Sequence, residues 1–271
     1  MPELPEVETT CRGIAPVIAG TRISRVVIRN RQLRWPIPAS LEREITGLKV
    51  TGVGRRGKYI LISLSQGSLI LHLGMSGSLR VTDAGTPPER HDHIDLVFSN
   101  RRVLRLRDPR RFGSVHWTRS DPLLHPLLAH LGPEPLGRGF NADYLYEKSR
   151  KRKQAVKTFI MDSRVVVGVG NIYANEALFA GGINPARAAG GISLERYRVL
   201  VRAIKQVLRK SIKKGGTTLR DFVSGEDRPG YFRQSLRVYE RAGEPCWVCG
   251  AVIRQYRQGQ RSTYCCPGCQ K

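Results

Sequence analysis

The end of the chain, residues 246–269, reads CWVCGAVIRQYRQGQRSTYCCPGC. It holds two CxxC pairs, Cys246 with Cys249 and Cys266 with Cys269, separated by sixteen residues. Zinc binds four thiolates in a tetrahedron, and each CxxC turn supplies two of them. We therefore predict one structural Zn²⁺ on these four cysteines, with a β-hairpin between the two pairs.

The other two cysteines fall outside this pattern. Cys265 directly precedes Cys266, but only Cys266 forms a CxxC with Cys269, so we predict that Cys265 is a small packed residue. Cys11 falls on an apolar helix face, where packing is expected. Metal-type cysteines, an acidic start without an apolar leader and no apolar run of about 20 residues favour a cytoplasmic protein.

The charge balance indicates a polyanionic partner. The 271 residues include 46 Lys and Arg but 22 Asp and Glu, a formal net charge of +24. Such an excess attracts nucleic acid through its phosphates, and no basic amphipathic helix dominates to favour a membrane surface instead. Arg254, Arg257 and Arg261 of the predicted hairpin then either face a phosphate backbone or are merely exposed.

The first half of the chain has the pattern of a β-sandwich or barrel after one helix. Apolar residues at helical spacing predict a helix over residues 7–18, with Pro5 in its first turn and Gly20 at its end. Short apolar runs broken by Gly and Pro follow, which is typical of strands in a sandwich or barrel. These runs are residues 23–28, 49–53, 59–64, 68–73, 94–98 and 103–106, with a loop at 83–89.

The second half is predicted to be helical. Residues 133–139, PEPLGRG, are typical of a linker, and helical periodicity follows in residues 143–162 and 172–180, the latter with Asn171 as N-cap. Ser193 caps a long amphipathic helix that ends in Lys213, Lys214 and Gly215. The predicted fold is α+β, with parts at residues 1–132, 133–139 (linker), 140–232 and 237–271.

Several basic or glycine-rich motifs are candidates for nucleic-acid contact. Residues 101–111, RRVLRLRDPRR, place Arg110, Arg111 and Phe112 at a loop tip, which suits filling a gap in a base stack unless Phe112 is a core residue. The basic run 150–153 favours phosphate contact over a merely solvated helix face. In residues 165–171, VVVGVGN, the third glycine of a dinucleotide fingerprint is absent, so a single phosphate at a helix N-terminus is expected. Residues 91–93, HDH, lack a third metal ligand and favour polar contacts.

Pro2 adds a possible nucleophile. If Met1 is removed, Pro2 carries a secondary amine whose pKa is far below that of lysine, at about 8 for an ordinary α-amine. A neutral amine can attack the anomeric carbon of a nucleotide and form an iminium, with Glu3 and Glu6 beside it as acid or base. Since many chains begin Met-Pro, this feature carries weight only with the rest.

The motifs together resemble one family. PELPEVE at 2–8, GRRGKY at 54–59, HLGMSG at 72–77, DPRRFG at 108–113, VGVGNIYANE at 167–176, GGTTL at 215–219 and the four-cysteine tail occur in this order. Over essentially its whole length the chain resembles the bacterial formamidopyrimidine-DNA glycosylases, also called 8-oxoguanine DNA glycosylases. The resemblance implies an N-terminal β-sandwich with flanking helices, a helix–two-turn–helix domain and a zinc finger, with double-stranded DNA that contains oxidised purines or abasic sites held in the cleft between the domains. No dimerisation surface is legible in the sequence, so a monomer is expected.

The resemblance also implies roles for individual residues. Pro2 matches the Schiff-base nucleophile, Glu3 the acid that opens the deoxyribose ring, Lys58 the proton donor of β-elimination and Arg261 the phosphate-gripping residue assigned to δ-elimination. The residues that fill the hole left by the flipped nucleotide would be Met75, Arg110 and Phe112. Those that bind phosphates or the DNA backbone would be His91, Arg110, Lys151, Lys157 and Asn171.

Base recognition is the least constrained part of the resemblance. It falls on Glu6 and Arg220, and residues 215–232 would include the loop over the flipped base. Arg220 stands where some relatives have Lys. Two alternatives stay open from the sequence: the sister family endonuclease VIII, which prefers oxidised pyrimidines, and a non-catalytic zinc-ribbon DNA-binding protein.

Overall fold

The computed structural model describes residues 2–216 and 232–271. These residues pack as two compact units, the first formed by residues 2–129 and 214–216, the second by residues 130–213 and 232–271. The predicted boundaries at 132, 139 and 232 stay predictions, since the compact units do not divide the zinc finger from the helices.

The first unit contains two helices and eight strands. In chain order they are α1 (Leu4–Ile18), β1 (Ile23–Ile28), α2 (Leu41–Ile45), β2 (Val50–Arg56), β3 (Tyr59–Leu64), β4 (Gly67–His72), β5 (Ser78–Asp83), β6 (Asp92–Phe98), β7 (Arg102–Arg107) and β8 (Ser114–Thr118). The strands form two antiparallel sheets, ordered β1-β6-β7-β5 and β2-β3-β4-β8. The predicted sandwich is confirmed.

A single apolar core lies between the sheets and α1. Strand β3 shows why: its residues alternate, so that Ile60, Ile62 and Leu64 are buried while their neighbours are partly exposed. Helix α1 adds Val7 and Ile14, both fully buried, at one-face spacing. The predicted helix and six strand runs are all present, whereas α2, β5 and β8 were not foreseen.

The second unit contains four helices and a hairpin. They are α3 (Ala142–Ser149), α4 (Val156–Met161), α5 (Asn171–Ala180), α6 (Leu194–Lys213), β9 (Arg254–Gln258) and β10 (Arg261–Cys265). The helical region 143–162 is thus two helices. Ser193 accepts a hydrogen bond from Arg196 N–H at 3.3 Å and caps α6 as predicted. Asn171 is not an N-cap: Gly170 is, and Asn171 is the first helical residue.

Within residues 2–216 and 232–271, no helix combines the length and the hydropathy that crossing a bilayer requires.

Candidate functional site

The start of helix α1 holds three predicted site residues. Pro2, Glu3 and Glu6 are all buried. Glu6 Oε2 accepts the main-chain N–H of Glu3 at 2.9 Å, and the Glu3 carboxylate accepts the N–H of Glu6, which completes a capping box. Because each glutamate satisfies a main-chain donor of the other, the box fixes the backbone that carries Pro2.

Gly216, three residues after helix α6, lies directly against the Glu6 side chain. A Cβ at this position would lie 2.9 Å from Glu6 Oε1, and the backbone φ is +84°. Both the close approach and the left-handed conformation require glycine. The chain that follows α6 therefore passes directly against the Glu6 carboxylate. Arg220 and residues 217–231, the greater part of the predicted base-covering loop, lie outside the described residues.

Lys58 sits in the tight turn between β2 and β3. Gly57 takes a φ of +57°, which allows the chain to reverse direction. Lys58 therefore lies at the turn end of the β2–β3 hairpin and is partly exposed. Nearby, His72 pairs with Tyr59 across the sheet. Burial, with the positive charges of Lys58 and Arg34, lowers the pKa of His72 to about 4. His72 Nδ1 accepts the N–H of Gly74 at 3.0 Å, so the ring is neutral at pH 7.

Two turns of the first unit present the predicted void-filling residues. Met75 is 36% and Phe112 42% exposed, which makes both of them large apolar side chains at the surface. The guanidinium carbon of Arg110 lies 4.8 Å from the centre of the Phe112 ring. Phe112 is therefore not a core residue, and the cation and the aromatic ring stand together at the tip as predicted.

The HDH motif at residues 91–93 makes a polar contact with the loop that carries Arg110 and Phe112. His91 is partly exposed with a φ of +74°. His93 is buried, and its Nε2 lies 2.8 Å from the main-chain oxygen of Asp108, which links β6 to the tip loop. His93 thus makes a polar contact with a neighbouring loop, as the sequence favoured.

Four sulfur atoms converge in the second unit. The Sγ atoms of Cys246, Cys249, Cys266 and Cys269 all lie within 4.8 Å of one another. The pairs Cys246–Cys269 and Cys249–Cys266 are 3.9 and 3.3 Å apart. A tetrahedron with Zn–S bonds of about 2.3 Å has S–S edges of about 3.8 Å, so the cluster can hold a metal ion of that size.

Neither remaining thiol belongs to this cluster, as predicted. Cys265 is buried beside it, and burial raises the pKa of its thiol. Cys11 donates to the carbonyl oxygen of Gly54 at 3.2 Å, and burial raises its pKa to about 12. A thiol with so high a pKa is a poor nucleophile at neutral pH.

The hairpin β9–β10 is fastened to helices α4 and α5. Lys157 is fully buried, and its Nζ donates to the Ser262 carbonyl and to Thr263 Oγ1, both at 2.8 Å. Asn171 Nδ2 donates to the same Ser262 carbonyl at 3.1 Å. Asn175 Oδ1 accepts the N–H of Tyr264 at 2.8 Å. The predicted phosphate roles of Lys157 and Asn171 stay predictions; their observed contacts hold the hairpin.

The arginines of the hairpin divide between its two faces. Arg261 pairs with Gln258 next to the turn, and Arg254 pairs with Cys265 at the base. Because directly paired and alternate residues share a face, Arg254 and Arg261 lie on one face and Arg257 on the other. All three are exposed, but one flat phosphate backbone cannot meet all of them from a single side.

The basic run 150–153 is also divided. Arg150 lies over the Tyr146 ring at 3.8 Å and donates to the Ile192 carbonyl at 2.9 Å, so it packs within the unit. Lys151 is exposed and takes a φ of +62°, which turns the chain between α3 and α4. Lys151 is thus available at the surface, as its predicted phosphate contact requires.

Glu176 is a buried anchor that the sequence did not reveal. Its carboxylate accepts the main-chain N–H groups of Arg237, Val238 and Tyr239 at 2.8 to 2.9 Å. Burial raises its pKa, which those three hydrogen bonds oppose. His72, Ser76 and Asp108 were missed in the same way. For His72, Ser76 and Asp108 the only sequence signals were the motifs HLGMSG and DPRRFG, and neither motif indicates which residues these side chains contact.

Comparisons with known proteins agree with this geometry. Residues 1–115 match the formamidopyrimidine-DNA glycosylase N-terminal domain, and residues 131–223 match the formamidopyrimidine-DNA glycosylase H2TH domain. Formamidopyrimidine-DNA glycosylase of Methylococcus capsulatus is 61% identical over 271 residues, covering 100% of both chains. That of Stutzerimonas stutzeri is 56% identical over the same length, again with 100% of both chains covered.

Solved structures resemble the chain over its whole length. MutM (Fpg) from Thermus thermophilus has a TM-score of 0.88 at 36% identity, covering 99% of this chain and 98% of that one. Lactococcus lactis Fpg with abasic-site DNA has a TM-score of 0.92 at 32% identity. A glycine-to-proline mutant of the Lactococcus lactis protein with Fapy-dG DNA has a TM-score of 0.91 at 33% identity. Both cover 100% of each chain.

The fold, the cysteine cluster and these relatives define a DNA glycosylase of base-excision repair. The chain belongs to the formamidopyrimidine-DNA glycosylase family.

Proposed function

We propose that this glycosylase removes oxidised purines, 8-oxoguanine and formamidopyrimidines, from duplex DNA and then cuts the strand as an AP lyase. The observation that carries the proposal is the capping box that fixes Pro2 beside two buried carboxylates. The Lactococcus lactis relative, at 33% identity, has been crystallised with a Fapy-dG-containing DNA. A monomeric, cytoplasmic enzyme is part of the proposal.

Pro2 is the proposed nucleophile. With Met1 removed, the lone pair of its amine attacks C1′ of the flipped nucleotide. The damaged base leaves with the electrons of the glycosidic bond and takes up the proton that the amine nitrogen loses. Glu3 protonates the ring oxygen, the C1′–O4′ bond breaks, and the sugar is held as an iminium on Pro2. Glu6, fixed against Gly216, and Arg220 are the proposed contacts to the base.

Strand cleavage follows from the iminium. Loss of a proton from C2′ expels the 3′ phosphate, and a second elimination expels the 5′ phosphate. Lys58 serves the first step as proton donor, and Arg261 serves the second while it grips phosphate. His72 is neutral at pH 7, so its ring adds no positive charge next to Lys58.

DNA binding is assigned to exposed or partly exposed groups of both units. His91, Arg110, Lys151 and Asn171 contact the backbone, with Lys157 supporting the hairpin from behind. Met75, Arg110 and Phe112 fill the gap in the stack, since their exposed tips carry the apolar and cationic surface that a gap requires. One Zn²⁺ on the four tail cysteines supplies structural stability and no chemistry.

The test is borohydride reduction of the enzyme on a duplex with one 8-oxoguanine. We expect a covalent adduct that peptide mapping places on Pro2, and release of 8-oxoguanine. A matched chain that keeps one extra residue before Pro2 should give no adduct. An adduct on a lysine, or none, would overturn the mechanism. A thymine glycol duplex run in parallel separates the substrates: faster release of thymine glycol would favour the oxidised-pyrimidine alternative.

A further inference from the structure

The two turns that present Met75 and Arg110–Phe112 are joined beneath their tips by a buried hydrogen-bond network. Ser76 Oγ donates to Asp108 Oδ1 at 2.7 Å. The same hydroxyl oxygen accepts the main-chain N–H of Arg110 at 3.1 Å. Ser76 is 6% exposed and Asp108 fully buried, so neither side chain belongs to the surface that meets DNA.

Asp108 is the centre of this network. Its second carboxylate oxygen, Oδ2, accepts the N–H of Gly113 at 2.7 Å, on the far side of Phe112. Its main-chain oxygen meets His93 Nε2 at 2.8 Å, which fixes the loop to strand β6. The Asp108 carboxylate therefore binds the Gly113 end of the tip directly, and through Ser76 it is linked to the Arg110 N–H and to the Met75 turn. Hydrogen bonds to a charged acceptor are stronger than those between neutral groups.

Backbone contact reinforces the join. A Cβ on Gly74 would lie 2.4 Å from the main-chain carbon of Phe112, so the two turns touch along their backbones. Gly74 has a φ of +61°, and Gly77 N–H donates to the Leu73 carbonyl at 2.8 Å, closing the turn around Met75. No side chain other than hydrogen fits between the turns at position 74.

We propose that Ser76 is a positioning residue that joins the two turns, so that Met75, Arg110 and Phe112 enter the base stack as one preformed wedge. This inference rests on the proposed function, in which those three residues fill the gap. Flipping a nucleotide costs the energy of unstacking it. Two turns that are already joined lose less conformational freedom on insertion than two independent turns would.

The hydrogen bonds of Ser76 affect the insertion of Met75, Arg110 and Phe112 into the base stack and leave the Schiff-base chemistry unchanged. Removing the Ser76 hydroxyl deprives Asp108 of one donor and Arg110 N–H of its acceptor, while Pro2, Glu3 and Lys58 keep their surroundings. The effect is expected on a lesion that must be pulled from a full stack. It is expected to be small on a preformed abasic site, where the cost of unstacking is least.

The experiment compares Ser76→Ala with Ser78→Ala, an equally buried serine two residues on in strand β5. Both are assayed in single turnovers on an 8-oxoguanine duplex that carries 2-aminopurine beside the lesion, and on the same duplex with an abasic site. We expect Ser76→Ala to slow the fluorescence change and base release about tenfold. The enzyme concentration for half-maximal rate and the abasic-site trapping should stay within about twofold of wild type. Ser78→Ala should match wild type.

Asp108→Asn supplies an independent arm. If Ser76 acts through Asp108, the double variant should be no slower than the slower single variant, because the second change removes a join already broken. Unchanged insertion in Ser76→Ala, or an equal loss on both substrates with a lowered Tm, would overturn the inference. Additive losses in the double variant would also overturn it. If the wild-type enzyme forms no adduct, the proposed function itself is wrong, and this result differs from every outcome that concerns the Ser76 and Asp108 variants.

Discussion

The main-chain N–H of Glu3 donates to the carboxylate of Glu6 at 2.9 Å, while the carboxylate of Glu3 accepts the N–H of Glu6. Two buried glutamates at the start of one helix thus serve each other as caps. The residue before them, Pro2, has its position set by this pair, so the proposed nucleophile depends on a structural bond as much as on its own chemistry.

Two substitutions of Glu6 should affect the capping box differently. Glu6→Ala leaves the buried Glu3 N–H without its acceptor, which costs about 1–3 kcal/mol, whereas Glu6→Gln keeps an acceptor oxygen. We expect adduct formation in single-turnover borohydride trapping to fall at least about tenfold in Glu6→Ala and much less in Glu6→Gln. The abasic-site duplex is the decisive substrate: a loss confined to base-bearing lesions would show that Glu6 acts on the base and not as a cap.

His72 predicts a pH dependence of stability. Its pKa is 6.5 in the unfolded chain and about 4 in the folded one, so in this window the unfolded chain binds more protons. Stability therefore falls as the pH drops below 6.5, by about 2 kcal/mol at pH 5. His72→Asn keeps an acceptor for Gly74 N–H but cannot titrate. Urea unfolding at pH 7.5 and 5 should show the wild type losing more stability than the variant; equal losses would contradict the assignment.

Lys157 predicts the strength of the hairpin's attachment. Lys157→Met keeps the length of the side chain but removes the donors to Ser262 and Thr263, which should lower the free energy of unfolding by about 1–3 kcal/mol. The exposed Lys153 provides the control, and Lys153→Met should change stability by less than about 0.5 kcal/mol. Denaturation with urea measures both, and equal stabilities of the two variants would show that the buried contacts are worth nothing.

The cysteine cluster predicts metal content. Cys265→Ala should retain one zinc per chain, because its sulfur lies outside the group of four, whereas Cys266→Ala should lose it. Atomic absorption on the purified variants gives the answer directly. Zinc loss in Cys265→Ala would mean that the adjacent thiol replaces Cys266 as the ligand.

The sequence predicted the elements whose signals are local. The CxxC spacing identified the four cysteines that converge, and the short apolar run at residues 59–64 predicted β3 to the residue. Strands β5 and β8 were missed because Arg80 and Asp83 in one, and His116 in the other, interrupt the apolar run. The N-cap of α5 was misplaced by one residue, since Gly170 and Asn171 are both acceptable caps.

In the candidate site, too, local sequence signals indicated individual residues but not their long-range contacts. Candidate residues within motifs, such as Pro2 and Lys58, were named from the sequence by resemblance, and their roles stay predictions. Supporting contacts were not named, because Ser76 meets Asp108 across 32 positions and Lys157 meets Ser262 across 105. Nothing in local sequence marks a partner at that separation; it is set by which strands and helices pack together.

The fastening of the hairpin to α4 and α5 has a consequence for protein engineering. A zinc finger is commonly treated as a cassette that can be moved between proteins. Here the hairpin carries the acceptors of the buried Lys157 ammonium and the donor to the buried Asn175 amide, and a transplanted hairpin would take them away. A graft of residues 237–271 onto another scaffold must therefore bring both helices with it, so the transferable module is the whole second unit.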